Sequence, residues 1–100
     1  MTRNSNDMHC LLTLLLALQP ATVLAVLDNQ EVMLALRMGN VIYTAEFSRD
    51  VLRADTFIDG DRVRAEVIGG KMRVKRKDGK IVSGRLRWEQ RVLVHPIPEH

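Results

Sequence analysis

The chain is predicted to fold as a small, mainly β barrel of about six to seven antiparallel strands behind an N-terminal helix, α+β by content. Three observations predict this. From Ala21 onward the periodicity changes from helical spacing to short apolar runs of strand length. Turn dipeptides punctuate that stretch at Asp28-Asn29, Gly39-Asn40, Asp59-Gly60, Gly69-Gly70 and Asp78-Gly79. The 100 residues are 46% apolar with only four aromatics, which calls for one compact core of Val, Leu, Ile, Ala and Met. Residues 1–20 read as an apolar N-terminal segment and residues 21–100 as the barrel domain.

The N-terminal segment, "CLLTLLLALQPATVLA", admits two readings. Arg3, the apolar run from Cys10 to Leu18 and Val23-Leu24-Ala25 sketch a secretory signal. Asp7 offsets Arg3, however, and Thr13 interrupts the run. The preferred reading is a retained helix from about Asn6 to Leu18, capped by Ser5 or Asn6 and stopped by Pro20. Such a helix is apolar nearly all round and too short to span a bilayer, so it needs cover from the domain or from a second copy in a homo-oligomer. A retained segment goes with a cytoplasmic protein, a cleaved one with a secreted or periplasmic protein. The single Cys10 excludes an internal disulfide, and within its apolar run it reads as a small hydrophobe.

The next segment, "ATVLAVLDNQEVMLALRMGNVIYTAEF", reads as a three-stranded meander. A two-residue turn at Gly39-Asn40 places Met38 opposite Val41, Leu36 opposite Tyr43, Leu34 opposite Ala45 and Val32 opposite Phe47. All eight are apolar and share one face. Met33, Ala35, Arg37, Ile42, Thr44 and Glu46 share the other. In "SRDVLRADTFIDGD" the alternation breaks, with Ser48 expected to cap a short helical turn holding Val51 and Leu52. Asp55, Asp59 and Asp61 lack the ligand spacing of a calcium loop and read as turn residues.

Two further hairpins follow. A two-residue Gly69-Gly70 loop pairs Ile68 with Lys71, Val67 with Met72, Glu66 with Arg73, Ala65 with Val74 and Arg64 with Lys75. A three-residue Lys77-Asp78-Gly79 loop, with Gly79 left-handed, pairs Val74 with Val82 and Met72 with Gly84, keeping the apolar face continuous. It also sets Lys71 beside Arg85 and Lys75 beside Ile81. The result is a platform that displays Arg64, Lys71, Arg73, Lys75, Arg85 and Arg87, with Leu86 and Trp88 turned inward. A last strand, "RVLVHPI", ends at Pro96 and Pro98.

Charge is distributed unevenly. Residues 1–50 carry three basic against five acidic residues, whereas Arg62–Arg91 holds eleven basic against Glu66, Asp78 and Glu89. An asymmetry of that kind points to a polyanion or an acidic partner. Like charges placed directly across strands are destabilising without a counterion, which strengthens the same expectation.

The meander followed by "FIDGDRVRAEVI", with Gly60-Asp61-Arg62-Val63, resembles the OB-fold, particularly ribosomal protein S1-like domains and bacterial translation initiation factor one, over about half of the chain. The resemblance implies an OB-like barrel that binds single-stranded RNA through basic and aromatic surface residues. Tyr43 and Phe47 are turned coreward in the register above, so phosphate contact without base recognition is expected. The closing stretch, "GKIVSGRLRWEQRVLVHPIPEH", is somewhat similar to an Sm-like domain, which implies pairing between subunits.

For catalysis the sequence offers no nucleophile elbow, no phosphate-cradling glycine loop, no metal-spaced histidine pair and no credible carboxylate pair. His95, Glu99 and His100 read as a terminal tail. The expectation is therefore a non-enzymatic barrel without cofactor or metal that binds RNA or single-stranded DNA. The alternative is a structural or adaptor domain that docks on another protein, exported or oligomeric.

Overall fold

The computed structural model describes residues 18–92, which form six strands: β1 (Gln19–Asp28), β2 (Val32–Met38), β3 (Val41–Phe47), β4 (Arg62–Ile68), β5 (Lys71–Lys75) and β6 (Ile81–Arg91). They close into a barrel in the order β1-β2-β3-β6-β5-β4, and every neighbouring pair is antiparallel. Two consecutive three-stranded meanders are thus joined along two seams, β3–β6 and β1–β4. A small closed antiparallel barrel is compatible with the OB-like expectation. It differs from the five-stranded, partly open Greek-key form of that fold by its sixth strand and its full closure.

The helix expected over Asn6–Leu18, its signal-like alternative and the self-association assigned to it lie outside the described residues. So does the closing stretch after Val92. The chain enters the barrel earlier than expected, because Gln19 and Pro20 already belong to β1, opposite Ala65 and Arg64. Pairing with β2 begins only at Thr22, so Pro20 occupies a stretch with a single neighbour. That edge setting tolerates a residue without an N–H.

The meander register is the one that alternation predicts, from Val32 opposite Phe47 to Met38 opposite Val41. Its inward residues Val32, Leu34, Leu36, Ala45 and Phe47 are fully buried. Both later hairpins also take their expected registers. Gly69 and Gly70 have φ of 60° and 74°, the two consecutive positive values that a two-residue turn of the right twist needs. Ala65, Met72 and Val74 are inward and buried.

Residues 48–61 form a series of turns, the first of them the expected turn capped by Ser48. Val51 and Leu52 donate backbone N–H bonds to the Ser48 carbonyl, and the Ser48 hydroxyl accepts from Asp50 N–H at 3.2 Å. The segment buries Leu52 and Phe57 against the core. Its end is tied to β1, where Val23 N–H donates to Asp61 O at 2.8 Å and Val23 O accepts from Gly60 N–H at 2.7 Å. A register shift between Val23 and Ala25 leaves Leu24 as an extra, exposed residue at that bend.

Gly84 lies where β6 crosses the Phe47 ring. A β-carbon there would come 2.8 Å from Phe47 ring carbons and 2.8 Å from the Glu46 carbonyl oxygen. Since a backbone oxygen and a fully buried ring cannot both withdraw, Gly84→Ala should cost about 1–3 kcal/mol of stability. Ser83→Ala, at the exposed neighbouring position, should stay within about 0.5 kcal/mol, and urea titration of both variants checks the difference.

Candidate nucleic-acid interface

The outer face of β4–β5–β6 follows from the pleat. Once Ala65, Met72, Val74 and Gly84 point inward, their alternates must point out. Lys71 stands directly opposite Arg85, Arg73 opposite both Glu66 and Ser83, and Lys75 opposite Ile81. Arg64 lies across from Pro20 on the β1–β4 seam.

The six expected cations fall into two groups. Arg73 donates to Glu66 Oε1 at 2.9 Å, and the Glu66 side chain is only 8% exposed, so this pair is fixed and internally neutralised. Arg87 reaches Glu46 Oε1 at 3.5 Å across the β3–β6 seam. Arg64, Lys71, Lys75 and Arg85 have no carboxylate within ion-pairing distance among the described residues. Arg64 donates to the Leu18 carbonyl at 3.5 Å. The Lys71–Arg85 contact is therefore a like-charge pair in the position where such a pair is least favourable.

Two neighbouring cations are structural. Arg76 donates to the Val51 carbonyl at 3.0 Å and pairs with Asp78, pinning the 48–61 connection to the 77–79 turn. Lys77 pairs with Asp61 at 3.3 Å. Asp61 also accepts from Ile58 N–H at 3.0 Å, and this backbone bond, followed by Lys77, holds its carboxyl below the ordinary range. Asp78 is lowered chiefly by the Arg76 side chain and then by the Lys80 N–H.

Two features of the surface had not been anticipated. Arg62 joins Arg64 and Lys75 around a concavity of ≈380 Å³ whose lining includes Pro20, Phe57 and Val63. Like them it has no carboxylate partner among the described residues. Its place on the outer face was legible from its spacing of two from Arg64.

The second feature is the outward orientation of Trp88. Trp88, expected inward, is 60% exposed. The register shifts between Thr44 and Ala45, which pair with Trp88 and Leu86 respectively, so Arg87 is an extra residue on β6. A bulge of this kind reverses the alternation, and Arg87 and Trp88 both face outward. The Arg87 guanidinium carbon sits 6.0 Å from the centre of the Trp88 ring. Leu86 keeps its inward position opposite buried Ala45. Phe47 is buried in the core, and Tyr43, half-buried, packs against it.

Among the described residues, no group of His, Cys, Asp and Glu is placed to hold a metal ion, and no helix is long and apolar enough to cross a membrane. Comparison with protein-family models, with curated proteins and with solved structures gives no match.

The lowered carboxyls set a pH dependence whose sign is fixed. A carboxyl depressed in the folded state contributes stability above its unfolded value, here 3.8, and loses it as pH falls through the folded value. Stability should hold down to about pH 4 and fall below it, and Asp61→Asn should flatten that fall. Urea midpoints taken across the acid range check this, and an Asp61→Asn curve parallel to that of the unmodified chain would remove Asp61 from the account.

Proposed function

We propose that the chain is a non-enzymatic nucleic-acid-binding protein whose β4–β5–β6 face contacts the phosphates of RNA or single-stranded DNA. One observation carries the proposal. Lys71 and Arg85 are held side by side by strand register, without a compensating carboxylate among the described residues. A phosphate between them would convert a repulsive pair into two charge-assisted contacts. Arg64 and Lys75 extend the track. Lys75 lies four residues from Lys71, about 13 Å along β5 at the strand rise. Support also comes from the resemblance of the meander and Gly60-Asp61-Arg62-Val63 to OB-fold domains of the ribosomal protein S1-like kind.

The cations of this face lie among Ser83, Ile81 and Glu66, and the aromatic beside Arg64 and Lys75, Phe57, is buried and offers no ring for a base to stack on. Contact through phosphates alone fixes position on a strand without reading its sequence. The protein therefore takes single strands of varied sequence with similar affinity. Arg73 and Arg87, already engaged by Glu66 and Glu46, contribute less than the other four cations.

A second reading, a structural or adaptor domain, is favoured by a different observation: Leu27, Ile68 and Trp88 are all more than half exposed. Co-sedimentation with a protein partner and no retention on RNA or DNA would select it.

Four phosphate contacts on a single strand give a slope of about −3 in a plot of log affinity against log salt, at about −0.7 per contact. Lys71→Ala should reduce the slope by about 0.7, whereas Arg73→Ala should change it little. Lys71→Glu combined with Arg85→Glu should abolish binding. Fluorescence anisotropy of a labelled oligonucleotide over a salt series measures all three. Unchanged affinity in the double variant would overturn the proposal.

A further inference from the structure

The far half of β6 is a sheet edge. On its β5 side the last link is Leu86 N–H to the Gly70 carbonyl, at 2.9 Å. Beyond it β5 has turned away, and among the described residues β6 from Arg87 to Arg91 pairs with β3 alone. Val92 N–H donates to the Asn40 carbonyl at 2.7 Å on the β3 side. In an antiparallel ladder hydrogen-bonding direction alternates residue by residue, so Gln90 and Trp88 also turn their main-chain groups toward β3. Glu89 and Arg91 turn theirs outward, to the vacant side.

We propose that two copies of this chain pair edge to edge along β6, antiparallel, about a two-fold axis at Gln90. The axis follows from register. With Gln90 on the axis, Glu89 stands opposite the partner's Arg91, and Arg91 opposite the partner's Glu89. Each of these pairs exchanges both main-chain hydrogen bonds, because their N–H and C=O groups are the ones that face outward. The side chains of each pair share one face and carry opposite charge. On the other face, exposed Trp88 meets the partner's Val92.

The neighbouring registers fail, that with the axis at Arg91 because it sets Arg91 against the partner's Arg91. Moving the axis to Glu89 sets Glu89 against the partner's Glu89 and Arg87 against the partner's Arg91, two like-charge pairings. Moving it to Trp88 brings the partner's Gln90 beside Leu86, where Gly70 already occupies the edge. A contact surface that is its own complement is the condition for a closed two-fold dimer. Among the described residues five per copy are available for pairing, fewer than a standard interface uses, so the dimer is reversible and depends on concentration.

This inference does not rest on the nucleic-acid reading, and its test needs no nucleic acid. Sedimentation velocity of the full chain over a wide concentration range should show a monomer–dimer equilibrium. Glu89→Arg alone and Arg91→Glu alone should each weaken it at least about tenfold by creating like-charge pairs. The double variant, Glu89→Arg with Arg91→Glu, should restore it, since the exchanged charges meet again across the axis. Gln90→Cys in a Cys10→Ser background should form an intermolecular disulfide on mild oxidation, because a pair on the axis that is not hydrogen-bonded has its Cα atoms about 4.5 Å apart. A monomer at every concentration, or a double variant as weak as the single ones, would overturn the proposal. So would self-association indifferent to both reversals, or Gln90→Cys cross-linking no faster than Gln30→Cys on the β1–β2 turn.

Discussion

The barrel closes because β6 serves two partners along one strand, and that depends on how close it can come to Phe47. Over residues 81–85 β6 pairs with β5, and over residues 85–91 with β3, so the two meanders are joined across it. Where the two pairings meet, the inward position is Gly84, directly over the buried Phe47 ring. Any side chain there would hold the second meander away from the first. With glycine the strand drops onto the ring, and Phe47, the largest fully buried side chain, fills the space that a β-carbon would otherwise contest. The β1–β4 seam is looser. It relies on a short pairing at Gln19–Thr22 and on main-chain bonds from Val23 to the 60–61 turn.

The surface charge is a consequence of that packing. Inward positions on β4, β5 and β6 are claimed by Ala65, Met72, Val74 and Gly84, so cations at the alternate positions have only the outer face. The sheet then compensates some of them. Glu66 and Glu46 each hold an arginine, and Asp78 and Asp61 hold Arg76 and Lys77 at one end of the barrel. What is left uncompensated is a smaller and more localised set than the composition suggests. It is that residue, not the net charge, that bears on which partner the face can take.

Much of this was legible in the sequence where the determining physics is local. The Gly39-Asn40, Gly69-Gly70 and Lys77-Asp78-Gly79 turns fix registers through their own backbone preferences, and the apolar pattern beside them favours the register that buries a continuous apolar face. Trp88 was not legible for the opposite reason. "RLRWEQR" alternates as any strand does, and the extra residue at Arg87 exists only because Thr44 and Ala45 on β3 take Trp88 and Leu86 as neighbours. A bulge is a property of two strands and leaves no mark in one of them. The neutralisation of Arg73 was half legible. Its pairing with Glu66 follows from the hairpin, but the burial of Glu66 depends on the closed barrel around it. The place of Pro20 in β1 was not legible because it depends on a neighbour: the residue is tolerated there since β2 has not yet begun beside it.

The same bulge separates two kinds of surface on one strand. Before Arg87, β6 runs beside β5, with β3 joining it on the other side from Arg85, and its outer face offers a partner side chains such as Arg85. After Arg87, its inner neighbour is gone, its alternation is reversed, and it offers main-chain groups as well. A polyanion needs charge and no backbone, whereas a second strand needs backbone and a fitting charge order. Arg85 with Lys71 meets the first requirement, and Glu89 with Arg91 meets the second. The two surfaces are about 13 Å apart along β6 at the strand rise, from Arg85 to Glu89. Pairing of two copies through the second would leave the first open on each and would double the cations presented along one assembly. Two weak phosphate tracks joined in this way act on one strand with the advantage of linked sites, provided that strand is long enough to reach both.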